Sequence, residues 1–177
     1  MDLSALAKQL EHHKGAPVDQ WDPPFCGDIA LCIRASGRWE YQNSPIGRKA
    51  LVKLFASVIK YEDDRYYLVT PVEKVGIEVE DLPFLVVGWE LVTHEGQPVI
   101  QVTTNVDETY MLSAAHPLIV DRGLPAVIVR NGLLARVHRN VYYQWADIAT
   151  SAKAGEADGY YIESAGERFL LAAESVG

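Results

Sequence analysis

The chain has 177 residues, of which 49% are hydrophobic and 10% aromatic, so it can form a packed core in one large domain or two small ones. Its 24 acidic residues outnumber its 16 basic ones, and the resulting net charge of −8 argues against the basic surface that nucleic-acid binding requires. No stretch approaches the about 20 apolar residues that a membrane span needs, so neither nucleic acid nor membrane is an expected partner.

The first residues, "MDLSALAKQLEHHKG", predict a short amphipathic helix, because Leu3, Leu6 and Leu10 follow a helical spacing. They lack the basic region and apolar run of a secretory signal, so we expect a cytoplasmic protein. The two cysteines, Cys26 and Cys32, are expected to be buried reduced thiols. No metal site and no other cofactor is predicted, since these cysteines have no histidine at a ligand-like spacing.

A second helix is predicted to begin within "NSPIGRK". Ser44 belongs to the residue types preferred at the N-cap, and Pro45 suits the first helical turn. The free amide groups and the dipole at such a helix start attract anions, and Arg48 and Lys49 lie in the same turn. We therefore predict an anion site here, although a capped helix with solvated basic residues would show the same pattern.

The stretch "YYLVTPVEKVGIEVED", residues 66–81, predicts a β-hairpin whose second strand alternates apolar and polar residues. Similar text, "YYIESAGERFLLAAES", begins at Tyr160, and an alignment without gaps places Lys74 opposite Arg168. The two hairpins are therefore interpreted as copies of one unit.

Two further correspondences support a duplication. "ALCIRASG" resembles "AVIVRNG" in the second half, and between these anchors and the hairpins Arg48 falls on Arg139, at the start of a further predicted helix. Each half then runs strand, glycine turn, strand, helix, hairpin. We predict an α+β fold of two β-rich domains related by internal duplication, each with one main helix, over residues 1–82 and 83–177.

Several stretches resemble the bacterial domain-of-unknown-function 1285 family: "WDPPFCGDI", "GRWEYQNSPIGRKALVKLFASVI", "RYYLVTPVEKVGIEVEDLPF" and "RNGLLARVHRNVYYQ". The chain departs from the family after "GDI", where Ala30 and Leu31 replace an acidic residue followed by a long one. The resemblance implies a duplicated α+β fold whose second domain looks like a pleckstrin-homology-type barrel. It also implies a site between the domains for a nucleotide-like molecule, in signal transduction, and no enzymatic activity is established for the family.

The predicted function is the non-enzymatic binding of a nucleotide-like anion between the two domains. A helix terminus contributes about 0.3–1 kcal/mol, whereas micromolar affinity requires about 8 kcal/mol, so several groups must contribute. The candidate ligand-binding residues are Ser44, Arg48, Lys49, Tyr67, Lys74, Arg139 and Arg168. A protein-interaction module without a small-molecule ligand is the alternative. An enzyme of unknown type is third, because no GxSxG, HExxH, P-loop or dinucleotide motif occurs.

Overall fold

A computed structural model describes residues 3–11 and 18–173 of the chain. The chain divides into two compact units, Met1–Asp81 and Leu82–Gly177. No described helix combines the length and apolar character needed to span a membrane.

The first unit is a six-stranded mixed sheet with two short helices. Its elements are α1 (Leu3–Leu10), one turn of 3₁₀-helix (Val18–Gln20), β1 (Phe25–Ile33), β2 (Trp39–Tyr41), β3 (Ser44–Pro45), α2 (Lys49–Ala56), β4 (Ile59–Glu62), β5 (Arg65–Val69) and β6 (Lys74–Val79). The strand order is β3-β2-β1-β6-β5-β4, and the first and last strands, β1 and β6, pair in parallel at the centre.

One face of this sheet is buried and the other is open. Leu31 of β1 and Val75 of β6 are almost fully buried, as is Leu6 of α1, which confirms the predicted amphipathic helix. The alternate residues of the same strands, such as Asp28 and Glu78, are exposed. The period-two pattern of the sequence therefore separates the core face of the sheet from a polar face.

The predicted hairpin at residues 66–81 is confirmed by β5 and β6, which pair antiparallel. Between them, Thr70 is fully buried, and its hydroxyl oxygen accepts hydrogen bonds from the amides of Val72 and Glu73 at 3.2 and 3.0 Å. This side chain closes the turn at Pro71, where a proline cannot take part in the ladder.

The predicted N-cap at Ser44 is wrong. Gln42 and Asn43 have φ values of +52° and +64°, and this tight turn folds Ser44 back to pair with Tyr41. Because its backbone belongs to a strand, α2 begins only at Lys49, with Arg48 at the N-cap and no side-chain capping bond.

The second unit contains a six-stranded sheet, a three-stranded sheet and one helix. Its elements are β7 (Phe84–His94), β8 (Gln97–Thr104), β9 (Thr109–Met111), β10 (Leu118–Asp121), β11 (Leu124–Ile128), β12 (Leu134–Val137), α3 (Arg139–Ile148), β13 (Thr150–Ser151), β14 (Gly159–Ser164) and β15 (Glu167–Ala173). The larger sheet has the order β10-β11-β12-β7-β8-β9, with β7 and β12 parallel, and the smaller sheet has the order β13-β14-β15.

The two six-stranded sheets have the same connectivity, which confirms the duplication. In each, the first three strands and the last three strands form antiparallel sets, and the first and sixth strands pair in parallel. The predicted register of the repeat is wrong, however. By sheet position, the hairpin β5–β6 corresponds to β11–β12, whereas the hairpin that begins near Tyr160 is β14–β15 of the separate small sheet. Apolar and polar residues alternate with a period of two in all these hairpins, so this pattern fits any pair of them. The matching tyrosines therefore aligned two hairpins that are not equivalent.

The similarity of the second unit to a pleckstrin-homology-type barrel stays a prediction. The α3 helix follows β12, the sixth strand of the second unit, whereas α2 lies between the third and fourth strands of the first unit. The sheets are therefore repeated, and the helices are inserted at different points of the repeat.

Candidate functional site

Tyr67 and Lys74 are the two predicted site residues that the first unit brings together. They lie on adjacent strands, β5 and β6, and the Lys74 ammonium is 4.9 Å from the centre of the Tyr67 ring. The same ammonium lies 3.4 Å from a carboxylate oxygen of Glu62. Lys74 is therefore already neutralised by an acid and shielded by a ring, and it offers little to an anionic ligand.

The open face of the first sheet contains two shallow grooves, of about 350 and 390 Å³. Arg34 and Arg65 line both of them. The Arg34 guanidinium lies 2.9 Å from Glu40 and 3.2 Å from Glu80, and Arg65 lies 2.7 Å from Asp28. Each arginine is thus committed to an acid of the protein.

The electrostatics of these grooves do not favour an anion. The groove of about 350 Å³ is lined by three carboxylates, Asp28, Glu40 and Glu78, beside Arg34 and Arg65. Hydrogen bonds from Arg34 and Arg38 hold the pKa of Glu40 below its usual value, so this carboxylate stays ionised. The open face is consequently an acidic, internally paired surface.

Cys26 and Cys32 are free thiols on β1. Cys26 is exposed, so the expectation of a buried thiol is wrong there, and Cys32 is half-buried. Burial raises the pKa of the Cys32 thiol, Arg34 opposes this effect, and the nearby Glu78, Glu80 and Glu40 add to it. This environment disfavours the thiolate and hence nucleophilic chemistry.

The two predicted helix-start arginines lie apart from any assembled site among the described residues. Arg48 and Lys49 are exposed at the start of α2, and Arg48 lines a groove with Lys8 of α1. Arg139 is exposed at the start of α3, where the Nδ1 atom of His138 accepts a hydrogen bond from the amide of Asn140 at 3.0 Å. His138 is therefore the cap of α3, so its Nδ1 is occupied as an acceptor.

Arg168 has the most extensive contacts of the predicted residues. Its Nε and Nη2 atoms donate to the Glu156 carboxylate at 3.0 Å, and Nη1 donates to Glu163 at 2.9 Å and to Thr150 Oγ1 at 3.2 Å. The remaining Nη2 hydrogen reaches the carbonyl oxygen of Ser151 at 3.1 Å. The guanidinium also lies 5.0 Å from the centre of the Tyr161 ring. Arg168 thereby fastens the loop before β14 to the small sheet.

Arg168 lies beside the largest described cavity, a cleft of about 710 Å³ within the second unit. The end of α3, the β7–β8 hairpin and the small sheet form its walls. Its apolar surface comes from exposed side chains, and its rim is charged. The lining residues are Leu91, Gln97, Pro98, Ile148, Thr150, Lys153, Tyr161, Glu163, Ser164, Gly166 and Arg168.

A buried hydroxyl holds the inner wall of this cleft in place. Ser164 is 1% exposed, and its Oγ accepts a hydrogen bond from the amide of Ile100 at 2.8 Å and donates one to the carbonyl of Leu112 at 2.6 Å. The small sheet is thus fixed to the large sheet by a side chain that satisfies two backbone groups.

A second polar cluster in this unit is structural. The Tyr110 hydroxyl donates to Glu108, which also receives Arg130 at 3.0 Å. Burial, followed by the hydrogen bond to Glu108, raises the pKa of Tyr110 to about 12. The guanidinium of Arg130 lies 5.0 Å from the Phe84 ring centre, so the cluster joins the turn before β9 to the end of β11 and to β7.

Of the residues that line the cleft, the sequence predicted Arg168 as a site residue and gave no signal for Leu91, Ile148 or Lys153. Leu91, Ile148 and Lys153 belong to a strand, a helix end and a loop, and no motif connects them. An exposed leucine in a strand is too common to be a signal by itself. Within the described part of the chain, no group of three or more histidine, cysteine or acidic residues could hold a metal ion.

Comparisons with known proteins give the same division of the chain. Residues 16–82 match the model "Domain of unknown function (DUF1285), N-terminal domain", and residues 83–171 match "Protein of unknown function (DUF1285), C-terminal domain". A search of curated proteins finds no match.

Two solved structures are similar. A DUF1285 family protein from Silicibacter pomeroyi DSS-3 has 38% sequence identity and a TM-score of 0.84, over 97% of this chain and 95% of that chain. A DUF1285 family protein from Shewanella baltica OS155 has 28% identity and a TM-score of 0.56, over 67% of this chain and 91% of that chain. The similarity to these two structures extends over both units, and neither structure is described with a ligand.

Proposed function

As the chain belongs to the DUF1285 family, whose two domains have no known function, we propose from its geometry that it is a non-catalytic regulatory protein that binds a small anionic ligand in the cleft of its second domain. The observation behind this proposal is the cleft itself. Its volume of about 710 Å³ lies within the about 300–1,000 Å³ of small-molecule sites.

The charges at the rim support an anionic ligand. Arg168 is paired with Glu156 and Glu163, but the Lys153 ammonium at the rim lies 3.7 Å from Glu163, beyond hydrogen-bond distance, and is open to a ligand. The two grooves on the open face of the first sheet have more acids than bases along their walls. The cleft is therefore a better place for a negative charge than those two grooves.

The apolar wall supports a ligand with an organic body. Leu91 and Ile148 are 64% and 51% exposed, whereas Tyr161 is 7% exposed, with its ring against the Arg168 guanidinium. Burial of apolar surface supplies about 25 cal/mol for each Å² removed from water, so contact with Leu91 and Ile148 would add to the affinity for an organic ligand. A nucleotide-like anion, acting in signal transduction, is the ligand that the sequence predicts, and its identity and location stay predictions.

A thermal-shift screen of the full chain with nucleotides, dinucleotides and phosphorylated and carboxylated metabolites tests the proposal. A ligand at 100 times its dissociation constant stabilises the protein by about 2.7 kcal/mol, which at about 2–4 °C for each kcal/mol gives a rise of about 5–11 °C. A flat response at millimolar concentrations over the whole panel would overturn the proposal.

The variant Leu91→Asp tests whether the ligand binds in the cleft. It places a carboxylate on the wall of the cleft, and because Leu91 is exposed, the variant should fold normally. Leu124→Asp is its matched control, since Leu124 is 56% exposed on β11 and does not line the cleft. We expect the ligand-induced shift to disappear in the first variant and to persist in the second.

A protein-interaction module is the second candidate, and the exposure of Leu91 and Ile148 favours it, because a partner's apolar side chain could bury the same surface. This function predicts no thermal shift with any small molecule. It also predicts that Leu91→Asp weakens the partner complex while Leu124→Asp does not.

A further inference from the structure

We infer that the ligand of the cleft has a single negative charge on an apolar body, such as an aryl or acyl monocarboxylate, and not a polyphosphate. The inference rests on the proposed function, since it concerns the same cleft. It depends on which N–H donors of Arg168 and Lys153 at the rim can still bind a ligand.

Arg168 has no donor left for a ligand. A guanidinium has five N–H groups, and those of Arg168 are directed at Glu156, Glu163, Thr150 and the Ser151 carbonyl. One face of its plane lies against Tyr161. A phosphate could bind this arginine only by displacing the Glu156 carboxylate, which accepts a bidentate pair of hydrogen bonds from it.

Lys153 is the cation that a ligand can reach. Its side chain is 66% exposed, and its ammonium lies 3.7 Å from Glu163 Oε1, beyond hydrogen-bond distance. Glu163 has a shorter contact with Arg168, at 2.9 Å. An incoming anion can therefore bind the Lys153 ammonium without breaking an established hydrogen bond.

The acids around this ammonium limit the charge of the ligand. Glu163 and Glu156 balance Lys153 and Arg168, so the rim cluster is neutral before a ligand binds. A ligand with one negative charge can pair with the Lys153 ammonium. Each further negative charge has no cation to pair with and is repelled by the carboxylates of Glu156 and Glu163. A triphosphate would leave most of its charge unpaired in a partly desolvated cleft, which is unfavourable.

The rest of the cleft suits an apolar body. Leu91 and Pro98 of the β7–β8 hairpin and Ile148 of α3 are exposed along its walls. The polar group of Ser164 is turned to backbone partners and offers nothing to a ligand. The cleft thus combines one available cation with an apolar surface, the arrangement that recognises an amphipathic monoanion.

Two fluorescent probes with the same ring system test this inference on the full chain. 8-Anilinonaphthalene-1-sulfonate has one negative charge, and N-phenyl-1-naphthylamine has none. We expect the sulfonate to bind more tightly, and its affinity to fall as salt is raised to about 0.5 M, because salt screens an exposed ion pair. The affinity of the neutral probe should not fall.

Variants assign these effects to the cleft. Lys153→Gln should weaken the sulfonate about threefold to tenfold, the range expected for losing a partly exposed charged contact, and leave the neutral probe unchanged. Arg122→Gln is the matched control, since Arg122 is a similarly exposed cation of the same unit, 63% against 66%. Leu91→Asp should weaken both probes.

The outcomes separate the inference from the proposed function. If Leu91→Asp changes neither probe, the cleft is not the binding site and the proposed function fails. If Leu91→Asp weakens both probes but Lys153→Gln and salt affect neither, the cleft binds ligands and the monoanion inference fails. Displacement of the sulfonate by ATP at lower concentration than by an aryl monocarboxylate such as naphthoate would also overturn the inference.

Discussion

At the scale of single residues, Gly159 is the position in β14 where both the backbone and the packing require glycine. Its φ is +152°, and a Cβ atom there would collide with the carbonyl oxygen of Ala172 and lie 2.8 Å from Leu170 Cδ1. Ala172 pairs with Tyr160 in the ladder between β14 and β15, so its carbonyl cannot move away without disturbing the small sheet.

Gly159→Ala should therefore lower the free energy of unfolding by about 2–5 kcal/mol, as backbone strain and overpacking add. Gly155→Ala is the matched control, because Gly155 also has positive φ, +87°, but a Cβ there would meet no atom within 4 Å. The control should lose only about 1–2 kcal/mol. Urea unfolding measures both, and equal losses would show that the contact with Ala172 is unimportant.

Glu156 gives a pH-dependent prediction at the same scale. The hydrogen bonds from Arg168 hold the pKa of this carboxyl below its ordinary value of 4.5. A carboxyl with a lowered folded-state pKa stabilises the protein above its unfolded-state pKa, and this contribution is lost as pH falls through the folded-state value. The stability that Glu156 provides is thus present at neutral pH and disappears in acid.

We expect Glu156→Gln to lower the urea midpoint at neutral pH, and the difference from the natural protein to shrink as pH falls below 4.5. Glu90→Gln, at an exposed carboxylate on β7, serves as the control and should change little at either pH. A difference for Glu156→Gln that stays constant down to acid pH would contradict the assigned ion pair.

At the scale of secondary-structure elements, Ser164 joins the small sheet to the large one. Ser164→Ala would leave the amide of Ile100 and the carbonyl of Leu112 buried without these partners. Each unsatisfied buried group costs about 1–3 kcal/mol, so we expect a loss of about 2–5 kcal/mol in unfolding free energy.

Ser151→Ala is the control for this prediction, because Ser151 is exposed and its side chain has no comparable role. Its effect should lie within about 0.5 kcal/mol. Thermal or urea unfolding distinguishes the two variants, and a Ser164→Ala protein as stable as Ser151→Ala would mean that water replaces both hydrogen bonds.

The same scale shows what the sequence could predict. The β5–β6 hairpin follows from its alternation and from Thr70-Pro71. The α3 helix follows from the helical spacing of Tyr142, Trp145 and Ile148, although the structure buries Trp145 with Val141 and leaves Ile148 exposed. The N-cap could not be placed, because the turn at Gln42-Asn43 pairs Ser44 with Tyr41 before the helix begins. The preference of serine for the N-cap position was therefore overridden at Ser44 by strand pairing.

At the scale of the whole molecule, the duplication was predictable and its register was not. A six-stranded sheet with a parallel central pair depends on contacts between strands far apart in sequence, such as β7 and β12. Residue-by-residue similarity does not report these contacts, so the tyrosine pairs align two hairpins that occupy different positions in the fold. The order of the strands in each sheet identifies the equivalent elements directly.

The candidate site depends on the same long-range assembly. Arg168 was predicted from its alignment with Lys74, and its role in ligand binding stays a prediction. Leu91, Ile148 and Lys153 come from three different elements and meet only in the folded second unit. The predicted residues on the first unit, Tyr67 and Lys74, are instead occupied by ion pairs and ring contacts. Arg168 is paired as well, and the cation of the cleft that is beyond hydrogen-bond distance of its acid is Lys153, at 3.7 Å from Glu163. Such pairing can be evaluated only in the structure.

An NMR titration of the ¹⁵N-labelled full chain with 8-anilinonaphthalene-1-sulfonate tests most directly whether the cleft is the binding site. We predict that the largest amide shifts occur at Leu91, Ile148, Lys153 and Tyr161, that Leu91→Asp abolishes them, and that Leu124→Asp preserves them. Largest shifts around Arg48 or Arg65 of the first unit, or shifts at the cleft that survive Leu91→Asp, would contradict the account.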